Sequence, residues 1–89
     1  MKTPLTFTAQ VFKEGRQYVS FNPELEVASC GATPLEARVR LREAIAGFLA
    51  VAAEQGTLDT VLEQAGYVKV KNAWRDLQLV SLGRLSVPV

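Results

Sequence analysis

Gly31-Ala-Thr-Pro-Leu-Glu-Ala37 is the stretch on which the reading of the chain turns. Thr33 suits a helix N-cap, because its hydroxyl accepts a hydrogen bond from an unpaired backbone N–H in the first turn. Pro34 fits the first helical position, where its fixed φ is right and its missing N–H costs nothing. Glu36, three residues after Thr33, completes a capping box. The helix is expected to run from Pro34 to about Glu54. Ala37, Leu41, Ala44, Ile45, Phe48 and Ala52 recur at helical spacing and mark its core stripe. A second apolar line runs through Leu35, Val39, Ala46, Leu49 and Ala53, and from Ala44 to Ala53 the helix carries no charge. A helix apolar nearly all round is buried on more than one side. One small sheet covers one side only. The second flank is left for a short helix of the same chain, another subunit or a partner.

Upstream of this stretch the pattern is β. Leu5, Phe7, Ala9 and Val11 alternate with Thr6, Thr8 and Gln10, which predicts a half-buried strand from Leu5 to Phe12. Lys13-Glu14-Gly15-Arg16 predicts a hairpin turn. Gln17 to Asn22 returns, with Val19 and Phe21 assigned inward and Tyr18 and Ser20 outward. Pro23 ends that strand, and Leu25 to Cys30 forms a third. Downstream, Gln55-Gly56 stops the long helix, and Thr57 starts a shorter one over Leu58–Ala65 that ends at Gly66. Tyr67 to Lys71 reads as a strand and Asn72-Ala73 as a turn. From Trp74 to Val87 a last strand is apolar on both faces. Leu77 and Leu79 lie on one face and Val80 and Leu82 on the other, followed by Leu85 and Val87. Such a strand is central in a sheet or covered on both sides. Coming last in a small domain, it points to pairing beyond the monomer. The fold class is α+β: a two-layer domain, residues 1–89, with an antiparallel sheet against one long and one short helix, in the order β-β-β-α-α-β(-β).

Composition removes whole classes of function. The chain has 89 residues, no histidine, one cysteine and a net charge of +1. Without histidine, His-based acid–base, nucleophilic and metal schemes fall away. Cys30 has no histidine to activate it and no partner for an internal disulfide. Asp59 and Asp76 are the only aspartates, and a two-metal site needs several convergent carboxylates. No glycine-rich phosphate loop is present. The near-zero charge argues against a nucleic-acid-binding module. Neither a signal segment nor a membrane-spanning run is visible. The expectation is a cytoplasmic protein without cofactor or enzymatic activity.

The segments Tyr18-Val-Ser-Phe-Asn-Pro-Glu-Leu25, Ala28-Ser-Cys-Gly-Ala-Thr-Pro-Leu-Glu-Ala37 and Leu41-Arg-Glu-Ala-Ile45 resemble the HicB-like antitoxins, over roughly residues 5–67. That resemblance implies a reduced RNase H-like fold without catalytic residues. It also implies a partner, a small RNA-cleaving toxin of the HicA type. Two departures stand out. Many members carry Pro-Gly-Cys where this chain has Glu26-Val27-Ala28. Many also continue into an operator-binding domain, so specific DNA binding is not expected of this chain. An inhibitor of an RNase has to cover a phosphate-binding surface, and Tyr18, Glu24, Glu26 and Glu14 are the candidate toxin contacts. Leu77, Leu79, Val80, Leu82, Leu85 and Val87 are the candidate contacts of a homodimer. The alternative function is a stand-alone oligomer of the same fold that binds another protein or a small ligand.

Overall fold

The computed structural model describes residues 4–89. Its elements follow the expected order. Strands β1 (Gln10–Glu14), β2 (Gln17–Asn22) and β3 (Val27–Gly31) form an antiparallel sheet in the order β1-β2-β3. Helix α1 (Pro34–Glu54) crosses one face of the sheet, and α2 (Leu58–Gln64) follows it. Strands β4 (Val68–Val70) and β5 (Ala73–Arg75) make a separate two-stranded ribbon.

Local chemistry accounts for the boundaries of α1. Thr33 has extended backbone, and its Oγ1 accepts a hydrogen bond from the Glu36 N–H at 3.0 Å. The Glu36 carboxylate reaches back to the Ala32 N–H at 3.4 Å, one residue further than in a standard capping box, and pairs with Arg40 at 3.0 Å. The first hairpin is equally local. Gly15, at φ 63°, takes the left-handed conformation that its two-residue turn requires. In the second helix Thr57 is the N-cap residue but makes no side-chain cap bond; its hydroxyl donates to the Ala52 carbonyl instead.

Three of the expectations that fail do so for a tertiary reason. First, the ladder starts at Gln10 rather than Leu5. Thr8 would lie opposite Pro23, which has no N–H to give, and side chains serve that backbone instead. Asn22 Nδ2 donates to the Thr8 carbonyl at 2.8 Å, and Glu24 Oε1 accepts from the Thr8 N–H at 2.6 Å. Second, β2 faces the other way. Ser20 and Asn22 are fully buried on the helix side, whereas Val19 and Phe21 are half-buried on the opposite face. Ser20 Oγ donates to the Ala37 carbonyl at 2.7 Å, and no buried side-chain polar atom among the described residues lacks a partner. Close approach forces this choice. A Cβ on Gly31 would stand 2.6 Å from the Ala37 nitrogen, so the rows beneath the helix start must be small: Ser20 beside Ser29, and Gly31 beside Tyr18. Third, Phe48 is 41% exposed although it sits in the core stripe with the buried Leu41, Ile45 and Ala52. The 21 residues of α1 span about 31 Å, and a strand of five or six residues only about 17–20 Å. The C-terminal half of the helix therefore overhangs the sheet. α2 covers it only in part, with Leu62 buried in their contact.

The third strand begins at Val27 rather than Leu25, after Glu26 in a left-handed conformation at φ 56°. The second turn sits one residue early, with positive φ at Lys71 and Asn72. The expected strand from Trp74 to Val87 is shorter as well. β5 ends at Arg75, and Asp76–Val89 joins no ladder among the described residues.

Candidate functional site

Sheet register sorts the candidate toxin contacts. Tyr18 lies in the same row as Lys13 and Gly31, on the helix side with Ser20, and is half-buried rather than outward. Glu14 pairs with Gln17 at the hairpin end and shares the outer face with Phe12. Glu24 and Glu26 lie beyond Asn22, at the other end of β2. Five residue steps of strand, about 17 Å, separate the two groups. The four candidates therefore do not converge. Glu24 is also engaged internally: its Oε1 accepts from the Thr8 N–H and from Asn22 Nδ2. It fixes the approach of the N-terminal segment to the turn after β2. Glu14 and Glu26 remain exposed.

The structure exposes a different surface, the sheet face turned away from α1. By register it carries Phe12 next to Val19, Phe21 next to Ala28, and Cys30 at its margin. Phe12 is 51% exposed, Ala28 and Cys30 are exposed, and Val19 and Phe21 are half-covered by their neighbours. Assigning Val19 and Phe21 to the core hid this face at the sequence level. The small residues Ser20, Ser29, Gly31 and Ala37 were the signal for the true inner face.

A second feature lies along the flank of α1. The N-terminal segment Leu5–Ala9 runs beneath it and leaves two apolar grooves, each bordered by Leu5 and Phe7. One, about 670 Å3, continues along Ala46, Leu49 and Ala53 toward Trp74. The other, about 490 Å3, continues along Leu35, Val39 and Ile45. The second apolar line of the helix thus faces open space. Phe7 stacks at a tilt on Tyr67, with ring centroids 5.2 Å apart. The Tyr67 hydroxyl donates to the Thr6 carbonyl at 2.6 Å, and Asp76 Oδ1 accepts from the Thr6 N–H at 2.7 Å. Burial, reinforced by the charges of Glu24 and Asp76, pushes the Tyr67 hydroxyl well above its usual pKa. It is a donor held in place, not an acid.

Among the described residues no group of three or more His, Cys, Asp or Glu is placed to hold a metal ion, and no helix is long and apolar enough to cross a membrane. No family model, no curated protein and no solved structure matches the chain. The surfaces themselves therefore carry the functional reading. They are one apolar sheet face and two apolar grooves beside α1.

Proposed function

We propose that the chain is a cytoplasmic HicB-like antitoxin that binds a small HicA-type RNA-cleaving toxin and silences it by occlusion. The observation that carries the reading is the uncovered outer face of the sheet, centred on Phe12, Val19 and Phe21. An aromatic centre with charged margins suits a protein interface, where a few large apolar anchors dominate affinity. Glu14, on the same face, and Glu26, beyond β2, supply exposed negative charge for a toxin surface that must attract RNA phosphates. Tyr18 and Glu24 support the fold rather than the contact. The chain performs no chemistry in this scheme. It excludes RNA by covering the toxin.

The test is toxin rescue in co-expression growth assays, with binding kinetics on the purified pair. Phe12→Glu combined with Ala28→Glu should abolish rescue while leaving the far-UV circular dichroism unchanged, since both residues are exposed. Glu14→Lys with Glu26→Lys should slow association and weaken its salt dependence. Full rescue by the first pair would remove the outer face from the interface. The alternative reading, an oligomer of the same fold that takes another protein or a small ligand, draws on the open grooves beside Leu5 and Phe7. Purification from the native host separates the two readings, because only the first calls for a small basic partner. In either reading the chain is a two-fold dimer through Leu77–Val87.

A further inference from the structure

The sheet has an unguarded edge. Thr6 and Thr8 turn their backbone N–H and C=O groups to one side, where Asp76, Tyr67, Glu24 and Asn22 satisfy them. In an extended chain the alternate residues turn theirs to the other side. Among the described residues, the backbone groups of Leu5 and Phe7 have no hydrogen-bond partner. The same edge continues along β1, which among the described residues has β2 on one side and no strand on the other. From Leu5 to Glu14 it contains no proline, and its only charges are Lys13 and Glu14 at the hairpin end. Soluble proteins normally blunt such an edge. Above it lie the two grooves under the helix, one bordered by Leu35 and Val39 and the other by Ala46, Leu49 and Ala53, which together make a trough along α1.

The same chain carries a strand without a sheet. Leu79, Val80, Leu82, Leu85, Val87 and Val89 are all exposed, Leu85 at 95%. The arm projects. The radius of gyration is 14.9 Å, against about 12 Å for a compact domain of this length. Nine residues from Leu79 to Val87 extend about 30 Å, and the ten of the open edge about 33 Å. Leu79, Leu85 and Val87 fall on one side of the arm, with Gly83 between them. Its own edge is poorly placed to receive it. Asp76, at the base of the arm, is bonded to the Thr6 N–H on the closed side of that segment, and Leu77 packs against Gly66. To reach its own open edge the arm would have to cross over the strand.

We infer that two copies exchange C-terminal arms, each arm adding as a fourth strand to the open Leu5–Glu14 edge of the other copy, with Leu79, Leu85 and Val87 filling the trough under α1. The contact is isologous and closed, so it stops at two. The three side chains that fill the trough, at roughly 100 Å2 each, remove roughly 300 Å2 per arm. With the covered edge and trough counted, two arms exceed the roughly 1,000 Å2 that a specific interface requires. The exchange rests on the dimer reading and is independent of the toxin.

Light scattering on the full chain at tens of micromolar tests it. The wild type should show twice the 9.7 kDa chain mass. Leu79→Lys with Leu85→Lys on the arm, and separately Ala9→Pro on the edge, should each give the monomer mass with unchanged circular dichroism. In a Cys30→Ser background, Ala9→Cys with Gly83→Cys, which share the trough side of the sheet, should oxidise to a covalent dimer. A dimer that survives both the arm and the edge variants keeps the dimer and refutes the exchange. A monomeric wild type refutes both. A disulfide closed within a single chain shows that the arm folds onto its own edge, and also refutes the exchange.

Discussion

Replacing Gly31 by alanine tests the packing of α1 on the sheet at its tightest point. The added Cβ would stand 2.6 Å from the Ala37 nitrogen and 2.9 Å from the Glu36 carbonyl carbon. Both are backbone atoms of the first helical turn, so no side-chain rotation relieves the contact. Restoring an ordinary separation near 3.5 Å requires the helix start to retreat by about 1 Å. That movement stretches the 2.7 Å bond from Ser20 Oγ to the Ala37 carbonyl beyond hydrogen-bonding range and strands a fully buried hydroxyl. Overpacking costs about 1–3 kcal/mol, and the lost bond about 1 kcal/mol. Together they give about 2–4 kcal/mol, a large share of the stability of a small domain. Urea unfolding followed by circular dichroism should show a lower midpoint at unchanged slope. Thermal melting should fall by about 8–32 °C. Gly47 is the internal control. It lies inside α1 with nothing within 4 Å of an added Cβ, so Gly47→Ala should stabilise by about 0.5–1 kcal/mol. A loss below about 1 kcal/mol for Gly31→Ala would mean that the helix does not approach the sheet as described, and the inward orientation of Ser20 would fall with it.

Further outcomes follow from single contacts. Phe48→Ala should cost about 2 kcal/mol, less than the 3–5 kcal/mol of a fully buried phenylalanine, because the side chain is 41% exposed; a loss above about 4 kcal/mol in urea unfolding would contradict the overhang. Thr33→Ala removes the acceptor of the Glu36 N–H and should cost about 1 kcal/mol, mostly recovered by Thr33→Ser or Thr33→Asp. For Tyr67 the raised folded pKa means that the unfolded chain ionises first. Its contribution is then complete below about pH 10 and declines as pH rises above that value. The stability gap between wild type and Tyr67→Phe should narrow from pH 9 to pH 11, and a constant gap would refute the buried donor.

What could be read from the sequence was local. The bounds of α1 depend on Thr33, Pro34 and Glu36, which act within one turn of each other, and Pro34–Glu54 is found as expected. Gln17–Asn22 is likewise confirmed, because Gly15 and Pro23 punctuate it from adjacent positions. The lack of histidine is a property of composition, and it excludes His-based chemistry whatever the fold. The exposed acids and the apolar arm could be named from sequence, but not where they stand relative to each other. Tyr18 and Glu24 illustrate the limit. One turns under the helix and the other is drawn inward by a backbone sixteen residues away.

The tertiary structure alone decided which face of β2 is inside. Alternation assigns the apolar set inward because burial of apolar area usually dominates. Here the distance between layers decided instead. A helix start lying against Gly31 leaves room for Ser20 but not for Phe21, and the hydroxyl can be buried because the Ala37 carbonyl is there to accept its proton. Displaced from the core, Phe21, Val19 and Phe12 became the outer apolar face. The unpaired edge at Leu5–Phe7 has the same kind of origin. Pro23 cannot extend the β2 ladder, so side chains distant in sequence hold the segment from one side and leave the other open. Interlayer distance and long-range hydrogen bonding are properties of the assembled fold, and no residue's immediate neighbours encode them.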